Sequence, residues 1–237
     1  MPDDPECLAQ KEIHLWMIDL DQSACDPETL SQDEEARAAR FVRPQDRRRF
    51  RVAHSSVRGI LGRYLRQPAA SLAFESNTAG KPFLQGLGRS HGIFFNLAHS
   101  DRHALLAVTS DREVGVDIEI ARVFEDLPGM ARQIMSSAEW HRFRSIPPES
   151  AHDAFFGLWT RKEALLKAVG TGFLSDPREV NLGLANNETA VVTFRETIWS
   201  VEPVAIVSWA KAAIAVEGAL PVIRIFRWDT ESEQAQP

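Results

Sequence analysis

The feature that most constrains this chain is a short strand-like run, Val114 to Ile120, in which two carboxylates stand one residue apart. Because side chains alternate between the two faces of a strand, Asp117 and Glu119 point to one side and their apolar neighbours to the other. Two like charges on one face of a buried strand are costly unless a positive group neutralises them. A hard divalent cation, Mg2+ first among them, is the simplest such group for convergent oxygen ligands. An exposed edge strand with a solvated acidic face is the alternative for this run alone.

The composition is that of an ordinary globular protein. Of 237 residues, 44% are hydrophobic and 25% are charged, which fits one large domain or two small ones. No apolar run approaches the roughly 20 residues that cross a bilayer, and the acidic segment Met1 to Glu6 lacks the apolar core of a secretory signal. Cys7 and Cys25 give neither a disulfide framework nor zinc spacing. We therefore expect a reduced cytoplasmic protein that has no structural metal and binds no membrane.

Charge is distributed unevenly along the chain. The formal net charge is -6, yet the segment from Arg37 to Arg66 holds ten arginines and one acid, Asp46. A local cationic surface on an acidic protein suggests an anionic ligand or partner that binds at one place. Nucleic-acid-binding proteins are usually basic overall, so the net charge disfavours that class. A solvated helix face is the plain alternative for the arginines.

Hydrophobic patterning predicts an α+β chain that passes twice through helices and strands. Ser31 and Glu34 form a capping-box pattern at the start of the first predicted helix. In the second predicted helix, apolar residues recur at intervals of three and four residues. Helices are predicted over 31–42, 45–66, 124–140 and from 148 to 170, and strands over 12–20, 93–96, 104–109, 114–120, 190–195, 198–201, 204–209, 212–216 and 222–228. Residues 99–102 are predicted to be a loop. A cut near Asp111 and Arg112 gives two halves of similar length and places the acidic strand near their seam, where concave sites are common.

The second informative stretch is the predicted helix segment Phe155 to Lys167. At helical spacing, Trp159, Glu163 and Lys167 share one face. An exposed ion pair worth a few tenths of a kcal/mol is the plain interpretation of the last two. A tryptophan on the same face prefers partial burial, which favours a functional role for this face.

Two shorter motifs are weak when each is taken alone. In the run Phe94 to Ser100, Asn96 is placed to brace a loop and His99 to donate to a phosphate, although a lone histidine is more often structural. In the turn Gly80-Lys81-Pro82, one lysine projects from a backbone that glycine and proline restrict.

Together the four motifs resemble the signature of the 4'-phosphopantetheinyl transferases. The resemblance is to the larger, surfactin-synthetase-activating (Sfp) type rather than to the small trimeric holo-acyl-carrier-protein synthases. The motifs follow the family's order and approximate spacing, and the arginine-rich region extends the match towards Arg37. The matching sequences are Gly80-Lys81-Pro82, Phe95-Asn96-Leu97-Ala98-His99-Ser100, Gly115-Val116-Asp117-Ile118-Glu119 and Trp159-Thr160-Arg161-Lys162-Glu163-Ala164-Leu165-Leu166-Lys167.

The resemblance implies both a fold and a reaction. The implied fold has two similar α/β halves in one monomeric chain, packed about a pseudo-two-fold axis. Residues 1–111 would carry the basic coenzyme A-binding region, and residues 112–237 the metal site. The implied reaction is Mg2+-dependent transfer of 4'-phosphopantetheine from coenzyme A to a serine of an apo acyl or peptidyl carrier protein. Its products are the holo carrier protein and 3',5'-ADP.

The resemblance also implies roles for individual residues. The positions that match metal ligands are Asp117, Glu119 and Glu163. The positions that match coenzyme A contacts are Arg37, Arg49, Lys81, His99, Ser100 and Lys167. Glu163 and Lys167 are both candidates for the catalytic base that a serine nucleophile needs, and the sequence does not decide between them. Ala98 stands where the family often has serine, and we expect this difference to weaken coenzyme A binding modestly.

Two other function classes fit the sequence less well. A metal-dependent nuclease of the Glu-x-Lys type has a lysine two residues after its glutamate, where this chain has Ala121 after Glu119, and the net charge disfavours duplex binding. A binding module with a basic groove does not need three carboxylates beside that groove.

The resemblance also implies a partner, which is a carrier protein that presents an acidic helix. By the same analogy, we expect the segment Val123 to Arg144 to receive it. The sequence leaves open whether that carrier serves fatty acid, polyketide or nonribosomal peptide synthesis.

Overall fold

Two four-stranded sheets and two long helices dominate the computed structural model, which describes residues 8–86, 92–171, 175–185 and 188–228. The strands are β1 Glu12–Asp19, β2 Phe74–Ser76, β3 Pro82–Leu84, β4 Phe94–Ser100, β5 His103–Thr109, β6 Val114–Ile120, β7 Ala190–Phe194, β8 Thr197–Pro203, β9 Ala210–Glu217 and β10 Val222–Trp228. The α-helices are α1 Gln32–Ala38, α2 Pro44–Leu65, α3 Leu127–Ile134, α4 Ser137–Phe143 and α5 Pro148–Val169. Within the described residues, no helix is both long and apolar enough to cross a membrane.

The two large sheets share one connectivity, which confirms the predicted α+β chain of two similar halves. Their strand orders are β10-β1-β5-β4 and β6-β9-β8-β7. In the first, β1 pairs antiparallel with β5 and β5 with β4. In the second, β6 pairs antiparallel with β9 and β9 with β8. Strand β10 lies within the predicted second half, 112–237, but pairs in parallel with β1 of the first sheet. The division at residues 111 and 112 therefore stays a prediction.

The two sheets pack against each other and a long helix covers each outer face. Because side chains alternate along β1, Ile13 and Leu15 lie between the sheets while Trp16 and Ile18 pack against α2. Helix α5 covers the second sheet in the same way. The apolar residues of β6 belong to the layer between the sheets, so Asp117 and Glu119 face α5.

Helix ends follow the sequence signals. Ser31 and Glu34 form the predicted capping box, in which the Glu34 backbone N–H donates to Ser31 Oγ at 3.2 Å and the Ser31 N–H donates to Glu34 Oε2 at 2.8 Å. Helix α5 ends at Gly170, whose φ of 74° lies in the left-handed region that suits glycine.

Two local predictions were wrong. Residues 204–209 form the connection between β8 and β9 rather than a strand, because the chain reverses there between antiparallel strands. The region 124–140 is mostly helical as predicted, but it is divided between α3 and α4, because a capping box at Ser136 starts α4 separately. His99 and Ser100 still belong to β4, and the turn to β5 needs only residues 101 and 102. Cys7 and the polar segment 229–237 lie outside the described residues.

Helix α5 and strand β6 approach each other closely at Gly115. A Cβ atom added to Gly115 would lie 2.1 Å from the Ala164 carbonyl oxygen and 2.3 Å from the Ala168 nitrogen. These distances are well below van der Waals contact, so only glycine allows the two backbones to touch here. The side chains of β6 that follow Gly115 are therefore held directly against the helix.

The Gly115→Ala variant should be strongly destabilised, because the added methyl group pushes α5 away from β6. We expect a loss of about 3 kcal/mol in the free energy of unfolding, measured by urea denaturation. Gly183→Ala is the matched control, since a Cβ there meets nothing within 4 Å and adds only left-handed backbone strain, which costs about 1 kcal/mol. Equal losses in the two variants would contradict the close contact.

Candidate active site

Strand β6 and helix α5 run in opposite directions, and their polar side chains meet in a ladder. The Lys167 ammonium lies 2.6 Å from Asp117 Oδ1. Further along, the Trp159 indole N–H approaches Glu119 Oε1 at 3.4 Å. Glu163 lies within electrostatic reach of both Glu119 and Lys167. The structure thus brings together the three predicted metal ligands and Lys167.

The ladder contains three carboxyl groups and one ammonium group, that of Lys167. Burial raises the pKa of Asp117 to about 7; the Lys167 ammonium opposes this shift, and the charges of Glu119 and Glu163 add to it. Burial also raises the pKa of Glu163, with Lys167 opposing it. Asp117 is 5% exposed, and its Oδ2 has no hydrogen-bond partner among the described residues. A further cation at this place would satisfy that oxygen and stabilise the ionised carboxylates.

The donor set fits Mg2+ in the manner usual for that ion. Among the described residues, no three Asp, Glu, His or Cys side chains are arranged to hold a metal by themselves. Mg2+ is generally bound through one or two carboxylates and completes its shell with waters and substrate phosphates. The unpartnered Oδ2 of Asp117 is an oxygen of the required kind, so the residues present are compatible with the ion.

Side chains from β4 brace the acidic strand across the two sheets. Both strands are edge strands, so the outward N–H groups of β6 lack a neighbouring strand. Asn96 Oδ1 accepts a hydrogen bond from the Val116 N–H at 2.9 Å, and Ser100 Oγ accepts one from the Ile120 N–H at 3.1 Å. The Ser100 hydroxyl also donates to Glu119 Oε2 at 2.9 Å, so it orients a predicted metal ligand.

The bracing of β6 by β4 was missed by sequence reasoning, which placed Asn96 at the end of a predicted strand and expected it to brace the loop that follows. The usable signal was that Asn96 and Ser100 share one face of a strand while His99 lies on the other. Ala98 shares their face and is 3% exposed in the core between the sheets. A serine at position 98 would point into this core, away from the exposed His99 side chain; the modest effect on coenzyme A binding stays a prediction.

His99 and Arg49 lie near the open side of the ladder. The His99 side chain is solvent-exposed, yet surrounding protein atoms and the Lys167 ammonium lower its pKa. Arg49 lies within electrostatic reach of His99. Its guanidinium binds Asp21 at 2.7 Å and Asp101 at 2.6 Å, so two carboxylates already neutralise this predicted coenzyme A contact.

Arg37 lies apart from the ladder, on a cavity of about 620 Å³ between α1, α2 and the β2–β3 hairpin. Its guanidinium stacks over the Phe50 ring at 5.4 Å. Arg37 and Arg40 are the exposed arginines of the cavity wall. Arg58, also in the wall, is buried and donates to Glu34 and to two backbone carbonyls, so it supports the cavity rather than offering charge to a ligand.

Two basic residues of the α5 motif face away from the site. Lys162 is 1% exposed and forms a buried ion pair with Glu139 at 2.7 Å. Arg161 donates to the backbone carbonyls of Gly157, Leu182 and Gly183. They anchor α5 to the 177–183 segment, so within this motif Trp159, Glu163 and Lys167 provide the site.

Comparison with known proteins gives this geometry a family. A family model described as the 4'-phosphopantetheinyl transferase superfamily matches residues 113–216, and one described as 4'-phosphopantetheinyl transferase, N-terminal, matches residues 15–111. The 4'-phosphopantetheinyl transferase HetI of Nostoc sp. (strain PCC 7120) is 38% identical over 89% of this chain and 90% of its own length. The chain belongs to the 4'-phosphopantetheinyl transferase superfamily. The family predicted from the four motifs is thereby confirmed.

Other similar proteins were found by sequence and by structure. The 4'-phosphopantetheinyl transferase gsp of Aneurinibacillus migulanus is 30% identical over 75% of this chain and 70% of its own length. The 4'-phosphopantetheinyl transferase Sfp of Bacillus subtilis is 28% identical over 60% of this chain and 66% of its own length. The holo-acyl-carrier-protein synthase of Thermotoga maritima matches 44% of this chain and 62% of its own, with a TM-score of 0.30 and 18% identity.

In this transferase, Glu34 should stabilise the cavity wall in a pH-dependent way. Hydrogen bonds from His54 and Ser31 and the charge of Arg58 outweigh burial and lower the Glu34 pKa to about 2. A lowered folded-state pKa contributes stability above the unfolded value of 4.5 and loses it as the pH falls through the folded value. We therefore expect Glu34→Gln to cost roughly 2–3 kcal/mol at pH 7 and progressively less between pH 4.5 and 2.

Urea unfolding of wild type and variant at several pH values measures this difference. The matched control is Glu35→Gln on the same helix, because Glu35 pairs with Arg51 at the surface, where such pairs contribute about 1 kcal/mol or less. A constant cost of Glu34→Gln from pH 7 to 2.5 would rule out the ionic contribution.

Proposed function

We propose that this protein transfers 4'-phosphopantetheine from coenzyme A to a serine hydroxyl of an apo carrier protein, requires Mg2+ and releases 3',5'-ADP. The observation that carries the proposal is the ladder of Asp117, Glu119, Glu163 and Lys167 between β6 and α5. A cluster of carboxylates with an unpartnered oxygen suits a divalent cation and a pyrophosphate more than it suits a neutral ligand.

The proposed coenzyme A contacts lie on both sides of the ladder. His99 and Lys167 face its open side, and Arg37 lines the cavity near α1; such groups form charge-assisted hydrogen bonds with phosphate oxygens. Arg49 is included because the Asp101 side chain that it holds is 59% exposed, so exchanging that carboxylate for a phosphate costs little. Ser100 is included through its position next to Glu119.

Asp117, Glu119 and Glu163 are the residues proposed to hold Mg2+. When bound, the ion would neutralise the pyrophosphate and the charge that develops on the leaving 3',5'-ADP. The Lys167 side chain is 28% exposed, so its ammonium has room to turn from Asp117 towards a phosphate oxygen and stabilise the same charge.

Glu163 is the proposed base, acting directly or through a water. The serine Oγ attacks the phosphorus that bears pantetheine, the phosphorus–oxygen bond to 3',5'-ADP breaks, and the serine proton passes to the Glu163 carboxylate. Burial raises the pKa of Glu163, which makes it a stronger base than an exposed carboxylate. Lys167 already donates to Asp117 Oδ1 at 2.6 Å, a contact that suits a fixed charge beside the phosphates better than a base.

The proposed partner is a carrier protein that presents an acidic helix to the segment 123–144. Val123 is 88% exposed shortly after the acidic strand, and the basic side chain of Arg132 stacks over Trp140 at 4.8 Å. Both halves contribute to the proposed site, so one chain is sufficient and a monomer is proposed. Because coenzyme A is an intracellular metabolite, the proposed location stays cytoplasmic.

Incubation with coenzyme A, Mg2+ and a panel of apo carrier proteins tests the proposal. Intact mass spectrometry should show one added phosphopantetheine on at least one carrier and 3',5'-ADP in solution. Transfer to none of the carriers would count against the function.

The metal assignment has a variant of its own. Asp117→Asn should abolish Mg2+-dependent transfer while the circular dichroism spectrum is kept, because it removes the buried carboxylate that the ion needs. Asp111→Asn, which alters a turn carboxylate bound to Arg112, should retain transfer. Substantial Mg2+-dependent transfer by Asp117→Asn would overturn the assignment.

A further inference from the structure

Lys81, in the turn between β2 and β3, binds the second half of the chain rather than facing the ladder's open side. Its ammonium donates to Glu113 Oε2 at 2.6 Å, to the Val114 carbonyl oxygen at 3.2 Å and to the Ala168 carbonyl oxygen at 2.9 Å. The side chain is 13% exposed. These three acceptors come from the start of β6 and the end of α5, so the ammonium group bridges the strand and the helix.

The rest of the turn supports this placement. Asn77 Oδ1 accepts from the backbone N–H groups of Ala79 and Lys81, both at 2.9 Å. The Asn77 amide donates to the Gly170 carbonyl oxygen at 2.7 Å. The turn is therefore organised by one side chain and presents two donors to the end of α5.

The acceptors belong to the two elements that carry the ladder. Ala168 and Gly170 are at the last turn of α5, where carbonyl groups lack helical partners and the helix dipole favours a cation. Glu113 and Val114 begin β6. Lys81 and Asn77 thus tie the end of the helix to the start of the strand, beside the close contact at Gly115.

We propose that Lys81 is a positioning residue, which fixes the placement of α5 along β6 so that Glu163 and Lys167 stand opposite Asp117 and Glu119. A helix advances 1.5 Å per residue, so a slide of one residue would break the 2.6 Å Lys167–Asp117 contact. To bind Lys81, a coenzyme A phosphate would have to displace the Glu113 carboxylate and the carbonyl groups of Val114 and Ala168. Both carbonyl groups belong to buried residues, so leaving them without a donor is costly. The inference rests on the proposed transfer reaction, and it replaces the direct coenzyme A contact that the resemblance implies for Lys81.

Kinetics of Lys81→Met separate the two roles. If Lys81 positions the ladder, kcat falls about 10- to 100-fold, since small displacements of catalytic groups have effects of this size, while the coenzyme A dissociation constant changes by less than about threefold. Lys81→Arg should restore part of kcat, because a guanidinium reaches the same acceptors with more donors.

Glu113→Gln tests the positioning role independently. If Lys81 only contacted coenzyme A, the Glu113 carboxylate would not be needed for transfer. It should lower kcat in the same direction as Lys81→Met, and the double variant should lose less than the product of the two single losses. Amide hydrogen exchange of residues 166–170 should be faster in both variants. Arg224→Met, which removes a surface pair with Glu12 at 2.9 Å on the sheet edge, is the control and should change neither kcat nor exchange.

The outcomes are distinguishable. A tenfold or larger rise in the coenzyme A dissociation constant of Lys81→Met, with kcat and exchange unchanged, would overturn the inference and restore the direct contact. If wild type transfers to no carrier, the proposed reaction fails, whereas unchanged hydrogen exchange at 166–170 counts against the positioning role independently. If Lys81→Met does not fold, Glu113→Gln provides the same kcat, dissociation and exchange measurements.

Discussion

The contact between helix α5 and strand β6 is the constraint on which the site depends. Backbone touches backbone at Gly115 because no Cβ intervenes, and this closeness buries the carboxylates that follow it in β6. Burial then raises the pKa of Asp117 to about 7 and also raises that of Glu163. A small residue in a strand therefore sets the electrostatics of a site whose charged atoms lie on other residues. The apolar layer between the sheets holds the other face of β6, so the strand cannot relieve the charge by turning.

Much of this was predictable from local patterns and some was not. Alternation along β6 and the helical spacing of Trp159, Glu163 and Lys167 are signals that a single element carries, so the acidic strand, the long helix and their shared face followed from sequence. The hydrogen bond from the Val116 N–H to Asn96 and the contacts of Lys81 with residues 113 and 168 depend on how distant segments pack. The segment 204–209 has the composition of a strand, but its place between two antiparallel partners required a turn.

The arginine-rich segment shows why charge counts overstate a binding surface. Several of the ten arginines between residues 37 and 66 donate hydrogen bonds to other groups of the protein. Arg49 donates to two aspartates and Arg48 to the Leu20 carbonyl oxygen. Arg58 donates to Glu34 and to two backbone carbonyl groups. Such contacts hold α2 to its surroundings. Beside the cavity, the exposed guanidinium groups are those of Arg37 and Arg40. Which arginines stay exposed could not be read from composition, because pairing depends on the fold.

Strand β10 has a consequence for how the molecule is made and how it can move. It is synthesised after every strand of the second sheet, yet it forms the edge of the first sheet beside β1. On the ribosome, the first sheet stays one strand short until nearly all of the described chain has emerged. In the finished protein, the chain crosses between the sheets twice, once near residue 112 and once between β9 and β10. Both crossings lie at the same end of β6 and β9, where the Arg112 guanidinium donates to the carbonyl oxygens of Glu217 and Ala219. Because the two connections lie side by side, a rotation of one sheet against the other pivots about this pair rather than about two separate points.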